Sequence, residues 1–232
     1  FVRFASERTR DALGDRLRAG ECIGCLAVTE PEGGSDTAHP ETTARRDGDA
    51  FVLDGTKTWV GNAPIADVAL VVAHDESADA QDMFLVETGA AGVSTEPQDT
   101  LGWKAVPNGR IHLDGVRVPA ANRFSTLFQN AVVDGNDLSD VVPFPESVTQ
   151  LFFEQKPLNV TFSFMRTGMA FMAVGIMQAA FDAALAYATD RETFGEPIGS
   201  HQLVQEKLYD VKCDLETSRW LAHHVADLLA AG

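Results

Sequence analysis

The hydrophobic period of this chain changes twice along its length, and each change limits what it can fold into. Residues 3–19 carry a charged, amphipathic helical pattern, and Gly20 supplies a natural left-handed C-cap. From Ile23 the pattern breaks into short runs: "IGCLAVT", "AFVLDGTKTWV", "DVALVVAH", "DMFLVET", "AGVSTEP" and "GRIHLDGVRVP". Gly, Pro and Asp-Gly turns separate them, with Asp54-Gly55 read as one such turn. Runs of this kind predict antiparallel strands gathered in a compact β domain or barrel. No crossover-helix rhythm is present, which argues against a Rossmann domain. From Phe164 to Asp190 the pattern is helical again, with Met165, Met169, Met172, Ile176, Ala180 and Ala184 three or four apart. "RETFGEPIGS" interrupts it, and a second helix is expected from near Ser200. Its inner face would be Val204, Leu208, Val211, Leu215, Ala222, Val225 and Leu229. Two antiparallel helices cannot bury two such stripes alone, so further helices are expected, C-terminal to Gly232 or from another subunit.

The charge balance narrows the possible partners. Asp plus Glu number 34 against 18 Lys plus Arg, a formal charge of −16. A field of that sign repels nucleic acid and anionic membranes, so neither is expected as a partner. With lysine scarce among the basic residues, the bias also suits a protein adapted to high salt. No run reaches 18 continuous apolar residues, so no membrane span is expected. The charged start "FVRFASERTR" is unlike a signal peptide. Cys22 and Cys25 form C-x-x-C, but they lead into a strand-like run with no second pair for zinc. They read as plain buried cysteines in a reducing, cytoplasmic setting, and Cys213 as a structural residue of a helix. His112, His201, His223 and His224 make no convincing metal set, so no metal is expected.

Four stretches carry candidate chemistry. In "LAVTEPEGGSD" the glycines and Ser35 suit either an anion-binding nest or a plain surface turn. In "DRETFGEPIGSHQ" Arg191 can clasp a phosphate or pair with Asp190, Glu192 or a neighbour. Arg166 stands in an otherwise apolar helix, where a buried arginine needs an anionic partner, structural or substrate. "DGTKTWVGNA" places Trp59 at the end of a short strand beside Gly61 and Asn62, a polar exit that core burial does not explain.

Together these motifs resemble the acyl-CoA dehydrogenase family. The segments that carry the resemblance are "CLAVTEPEGGSDTAHPETTARRDGDAFVLDGTKTWVGNAPIADVALVVA", "LGWKAVPNGRIHLDGVRVPAANRF" and "MRTGMAFMAVGIMQAAFDAALAYATDRETFGEPIGSHQLVQEKLYDVKCDLETSRWLA". The resemblance implies an α+β multidomain fold with an antiparallel β-barrel-like domain followed by part of an α-helical bundle. Residues 1–22 would end an N-terminal helical domain, and 23–124 would form the central β domain. Residues 125–162 would be an irregular, aromatic-rich insertion with Phe128, Phe144, Phe152 and Phe153. Residues 163–232 would be the first two long helices of the C-terminal bundle.

The same resemblance implies FAD as cofactor and oxidation of an acyl-CoA thioester at Cα–Cβ to a trans-2-enoyl-CoA. Hydride would pass to the flavin and electrons to an electron-transfer flavoprotein. A homodimer or homotetramer is expected, because the family's FAD site is completed by a second subunit. Val28 and Thr29 match the strand at the flavin pyrimidine edge, and Ser35 the serine near the pyrophosphate and the acyl-CoA. Trp59 matches the aromatic wall on the isoalloxazine face away from substrate. Arg191 and Phe194 match an R-x-x-F-G motif that meets FAD across the dimer interface, with Gln202 nearby, and Arg166 matches an arginine near CoA. Three departures stand out. Gly61 occupies a position that usually carries Thr or Ser near flavin N5, Ser163 replaces a common acidic residue, and the stretch from Pro119 to Arg166 is long. The chain stops before the family's usual catalytic glutamate, so the catalytic residue is unknown. Alternatives implied by the resemblance are an acyl-CoA oxidase, an N-hydroxylating monooxygenase, or a non-catalytic subunit with a degenerate flavin site.

Overall fold

The computed structural model describes residues 10–126 and 157–231. The chain divides into two compact units, Phe1–Asp137 and Leu138–Gly232.

In the first unit a π-helical turn, Arg10–Gly14, leads into α1, Asp15–Ala19. Gly20 closes α1 at φ 73°, as its sequence position predicts. Leu13 and Leu17 of this segment pack on Cys22, Val68 and Leu85. Seven strands follow: β1 Gly24–Ala27, β2 Thr43–Asp47, β3 Ala50–Gly61, β4 Val68–Asp75, β5 Ala80–Glu87, β6 Val93–Gln98 and β7 Asn108–Pro119. They form one curled sheet in the order β1-β4-β2-β3-β7-β6, with β5 paired to β4.

The sheet is mixed, which corrects the expectation of purely antiparallel pairing. β5 runs antiparallel along β4, whereas β1 and β2 both pair with β4 in parallel. A long excursion, residues 28–42, follows β1, so no tight hairpin forces antiparallel return. Strand β2, "TARRD", gives no apolar alternation: only Ala44 is buried, and Arg45, Arg46 and Asp47 are exposed.

Asp47-Gly48 makes the expected tight turn between β2 and β3, with Gly48 at φ 66°, but Asp54-Gly55 does not. Asp54-Gly55 lies inside β3, opposite the Asp114-Gly115 stretch of β7, and the register shifts between Leu53 and Gly55. The Gly115 N–H donates to Asp54 Oδ1 at 2.7 Å. Gly55 has φ 149°, and a Cβ there would fall 2.5 Å from Thr42 Oγ1 and 2.8 Å from Thr42 Cα. The glycine therefore serves a β-bulge and a close backbone approach.

Inside the curl, Phe51, Leu53, Val71, Phe84, Ile111 and Val116 are almost wholly buried, and the Phe51 and Phe84 rings lie 5.1 Å apart. Each such side chain contributes about 1.5–3 kcal/mol relative to exposure. At one edge Arg123 grips two buried carboxylates, Nη2 to Asp75 Oδ2 at 2.7 Å and Nε to Asp82 Oδ2 at 2.6 Å. Cys22 is buried and Cys25 half-buried, and burial pushes the Cys25 thiol up to about 11. That is opposite to what a redox pair needs. Cys213 is exposed on its helix.

In the second unit, α2 is Pro157–Asp190, the strands β8 Glu192–Thr193 and β9 Glu196–Pro197 form a hairpin, and α3 is Gln202–Ala231. Helix α2 begins at a proline, whose fixed φ and missing N–H suit a first turn. It therefore starts inside the span expected to be irregular. Phe128, Phe144, Phe152 and Phe153 of that span lie outside the described residues.

The face by which α2 meets α3 differs from the expected one. Val174 is buried against Leu215 and Ala222, with Phe171, Met177 and Phe181 packed around them. Met165, Met169, Met172 and Ile176, together with Ala180 and Ala184, are exposed. On α3 the expected Leu215 and Ala222 are buried, whereas Val211 and Val225 are exposed. Helix α2 is apolar nearly all round, so periodicity cannot select one face. Its part Phe162–Asp190 is long and apolar enough to cross a membrane by length and composition. The expectation of no span rested on an unbroken apolar run, and Arg166 and Asp182 break that run without making the helix polar. A bundle helix covered on every side has the same composition.

Candidate functional site

The site of the first unit is built where β1 and the end of β3 meet. Val28 and Thr29 leave β1 half-buried, and three consecutive residues there are tied to β3. Lys57 Nζ donates to the Val28 carbonyl at 3.1 Å and to Glu30 Oε1 at 2.8 Å, and the Thr58 N–H donates to the Thr29 carbonyl at 2.8 Å. Glu30 also accepts the N–H groups of Glu41 at 2.7 Å and Thr42 at 2.8 Å. One carboxylate thus closes the neck of loop 31–41, which carries Ser35 exposed. Within it, a Cβ on Gly34 would stand 3.2 Å from Thr29 Cγ2, so the bare glycine lets the loop lie against the Thr29 side chain.

Electrostatics follow from burial. Lys57 is fully buried and Glu30 nearly so. Burial pushes the Glu30 carboxyl up, but hydrogen bonds from Lys57 and from the Glu41 and Thr42 backbone outweigh it and hold the group below its usual range. Burial pulls the Lys57 ammonium down, and Glu30 opposes this only in part. Neither residue was singled out from the sequence. The available signal was a lysine inside an otherwise strand-forming run that ends beside the tryptophan.

Trp59 sits at a second bulge, where the β3–β7 register shifts between Lys57 and Val60. Its φ is 55°, and 59% of its surface is exposed. The Trp59 N–H and the Thr58 hydroxyl both donate to Gln98 Oε1, each at 3.1 Å. The bulge turns the indole out of the sheet while Thr58 and Val60 on either side are buried. Gly61 pairs with Asn108, and a Cβ there would find only Val106 Cγ1, at 3.6 Å. Asn62 then leaves the strand at φ 67°, donating its N–H to the Pro107 carbonyl at 2.6 Å. Val28, Thr29, Trp59 and Gly61 are thereby gathered at one end of β1 and β3, with Ser35 on the adjoining loop.

In the second unit, the Arg191 carbonyl accepts the Ile198 N–H at 2.7 Å, fixing the hairpin at the end of α2. Phe194 and Gly195 form its two-residue tip with φ 58° and 83°, both left-handed as in a type I′ turn. Phe194 is 94% exposed, its ring edge-on to His201 with centroids 6.3 Å apart. Arg191 is exposed and makes no ion pair among the described residues, so neither Asp190 nor Glu192 neutralises it. Gln202 is exposed at the first position of α3. Arg166 is exposed rather than buried, its guanidinium 5.4 Å from the Phe162 ring centroid. Its helix is apolar, but the face carrying Arg166 is open. It borders an apolar groove of about 430 Å³ lined by Val174, Met177, Ala222 and Val225. Among the described residues no cluster of His, Cys, Asp or Glu is disposed to hold a metal ion.

A curled β domain that turns one tryptophan out at a bulge, and a helical pair that presents an exposed arginine beside an exposed phenylalanine, describe a class of multidomain α+β protein. Residues 25–116 match the family description acyl-CoA dehydrogenase, middle domain, and residues 158–232 match acyl-CoA dehydrogenase, C-terminal domain. The chain belongs to the acyl-CoA dehydrogenase family. It is 31% identical to glutaryl-CoA dehydrogenase of Desulfococcus multivorans, covering 97% of this chain and 53% of that protein. It is 30% identical to L-prolyl-[peptidyl-carrier protein] dehydrogenase of Pseudomonas fluorescens, over 95% of this chain and 53% of that protein. Its fold matches the crystal structure of a glutaryl-CoA dehydrogenase from Mycobacterium smegmatis in complex with FADH2. The TM-score is 0.77 at 33% identity, covering 99% of this chain and 53% of that one. The chain spans about half the length of the curated relatives it matches.

Proposed function

We propose that the protein containing this chain binds FAD and oxidises an acyl thioester, an acyl-CoA in the first instance, between Cα and Cβ to the trans-2-enoyl product. The observation that carries this reading is Trp59, a large aromatic turned out of the sheet beside the Thr29 strand. The residues present fit a flavin: a flat aromatic face, a half-buried hydroxyl at Thr29, and no side chain at Gly61. Bound FAD would supply the acceptor for the two electrons leaving the substrate. Trp59 would cover one ring face and exclude water there, and Thr29 would donate to the pyrimidine edge. Ser35 would donate near the pyrophosphate. Arg191 would meet a phosphate, with Phe194 and Gln202 near the adenosine, and Arg166 would face CoA.

Exposed Arg191 and Phe194 suit a site completed by a second subunit, so a homodimer or homotetramer is part of the reading. Electrons would pass on to an electron-transfer flavoprotein. Three free cysteines suit a reducing, cytoplasmic setting. Gly61 favours one second reading, an oxygen-using acyl-CoA oxidase, because no side-chain hydroxyl stands at that position. The test is anaerobic mixing of the full-length protein with a panel of acyl-CoAs while following the visible absorbance of the oxidised flavin. Bleaching with a chain-length preference is expected. A colourless protein that takes up no FAD sinks the reading, and rapid reoxidation by air selects the oxidase.

A further inference from the structure

We propose that Gln98 is a positioning residue that holds Trp59 broadside as the flavin wall. This rests on the flavin site proposed above. Between Lys57 and Val60 the ladder with β7 is interrupted, and it resumes at Val60 opposite Gly109. Thr58 and Trp59 therefore need other partners for their N–H groups. The Thr58 N–H finds the Thr29 carbonyl, and the Trp59 N–H finds a side chain, Gln98 Oε1. The same oxygen accepts the Thr58 hydroxyl, so a single atom receives two bonds from adjacent residues. Because the Trp59 N–H can only donate, the oxygen of the amide must face the bulge and its NH2 must point away.

Gln98 is well placed for this work. It ends β6, opposite Asn108 of β7, and Asn108 in turn pairs with Gly61. Its side chain therefore reaches β3 from a strand that does not pair with it. Trp59 stands at a φ of 55°, a conformation that β-carbon-bearing residues rarely hold without outside restraint. The indole is 59% exposed and is not held by burial. The Gln98 clasp fixes the backbone from which the ring projects, and so sets the plane the flavin would meet.

The experiment uses the full-length protein with Gln98→Leu, which keeps the size but removes the acceptor, and Gln98→Glu, which keeps it. Hydrogen–deuterium exchange of the peptide containing Thr58 and Trp59, measured without flavin, reads the clasp directly. FAD affinity and the visible flavin spectrum read its consequence. Gln98→Leu is expected to speed exchange there about fivefold and weaken FAD binding roughly 3- to 10-fold, the scale of one or two lost hydrogen bonds. Gln98→Glu is expected to restore both. Unchanged exchange in Gln98→Leu overturns the clasp. Faster exchange with unchanged FAD affinity and spectrum overturns the positioning role. Wild-type protein that binds no FAD removes that role as well, and is told apart because it fails before any variant is compared.

Discussion

Lys57 Nζ lies 2.8 Å from Glu30 Oε1, and the lysine is wholly buried beneath the loop that the glutamate closes. The pair joins β3 to the segment carrying Thr29 and Ser35, and two backbone N–H groups complete the shell of Glu30. Removing one partner leaves a buried charge uncompensated. Glu30→Gln or Lys57→Met should therefore destabilise the fold by about 3–5 kcal/mol, whereas the double replacement should recover part of that loss. Denaturant unfolding of the four proteins forms the cycle, and additive losses would contradict the coupling.

The same pair sets an acid limit. Glu30 has a folded pKa below its ordinary 4.5, so it binds its proton less readily folded than unfolded. Its stabilising contribution is present above that ordinary value and is lost as pH falls through the folded one. The Glu30→Gln protein should show a shallower loss of stability below pH 4.5 than the wild type. Parallel pH profiles of melting temperature would contradict this.

Trp59 is held in the left-handed region by a residue type that does not favour it. Trp59→Gly should therefore be close to neutral for unfolding, since release of roughly 1–2 kcal/mol of backbone strain offsets the lost side-chain contacts. Under the proposed function it should nonetheless weaken FAD binding. Loss of stability with intact FAD affinity would place the indole in the fold rather than in the site.

Phe194 makes the same contrast on the second unit. A type I′ turn prefers Asn-Gly, and Gly195 is already in place. Phe194→Asn should stabilise the hairpin by a few tenths of a kcal/mol, up to about 1, while weakening FAD retention. Arg191→Ala should leave stability unchanged, because the side chain is exposed and unpaired among the described residues, and should raise the FAD dissociation constant about tenfold. Equal FAD affinity in both variants would remove this end of the site.

Gly61→Ser should fold normally, with a change within about 0.5 kcal/mol, since its Cβ meets only an ordinary contact at 3.6 Å. Gly55→Ala is the control: its Cβ would strike the Thr42 backbone at 2.8 Å and should cost several times as much. Under the proposed function Gly61→Ser should also shift the flavin spectrum and slow reoxidation by air. An unchanged spectrum and oxygen rate would remove Gly61 from the flavin's surroundings.

The amino-acid sequence by itself determined the two kinds of secondary structure and where the chain changes from one to the other. It also placed the Gly20 cap and the motifs that name the family, because local period, turn residues and spacing are properties of the chain read in order. It did not determine how strands pair. Strand β2 is polar, and the parallel partners of β4 depend on chain that is distant in sequence. Asp54-Gly55 carries the chemistry of a turn as Asp47-Gly48 does, and only the opposing strand makes it a bulge. Helix α2 is apolar on every side, so only its packing on α3 selected Val174 over the methionine stripe. Tertiary structure also brought Glu30 to Lys57 and Gln98 to Trp59, contacts that join residues 27 and 39 positions apart. Hydrogen bonds between remote side chains leave no period in a sequence, and these two contacts hold the strand ends on which Thr29 and Trp59 stand.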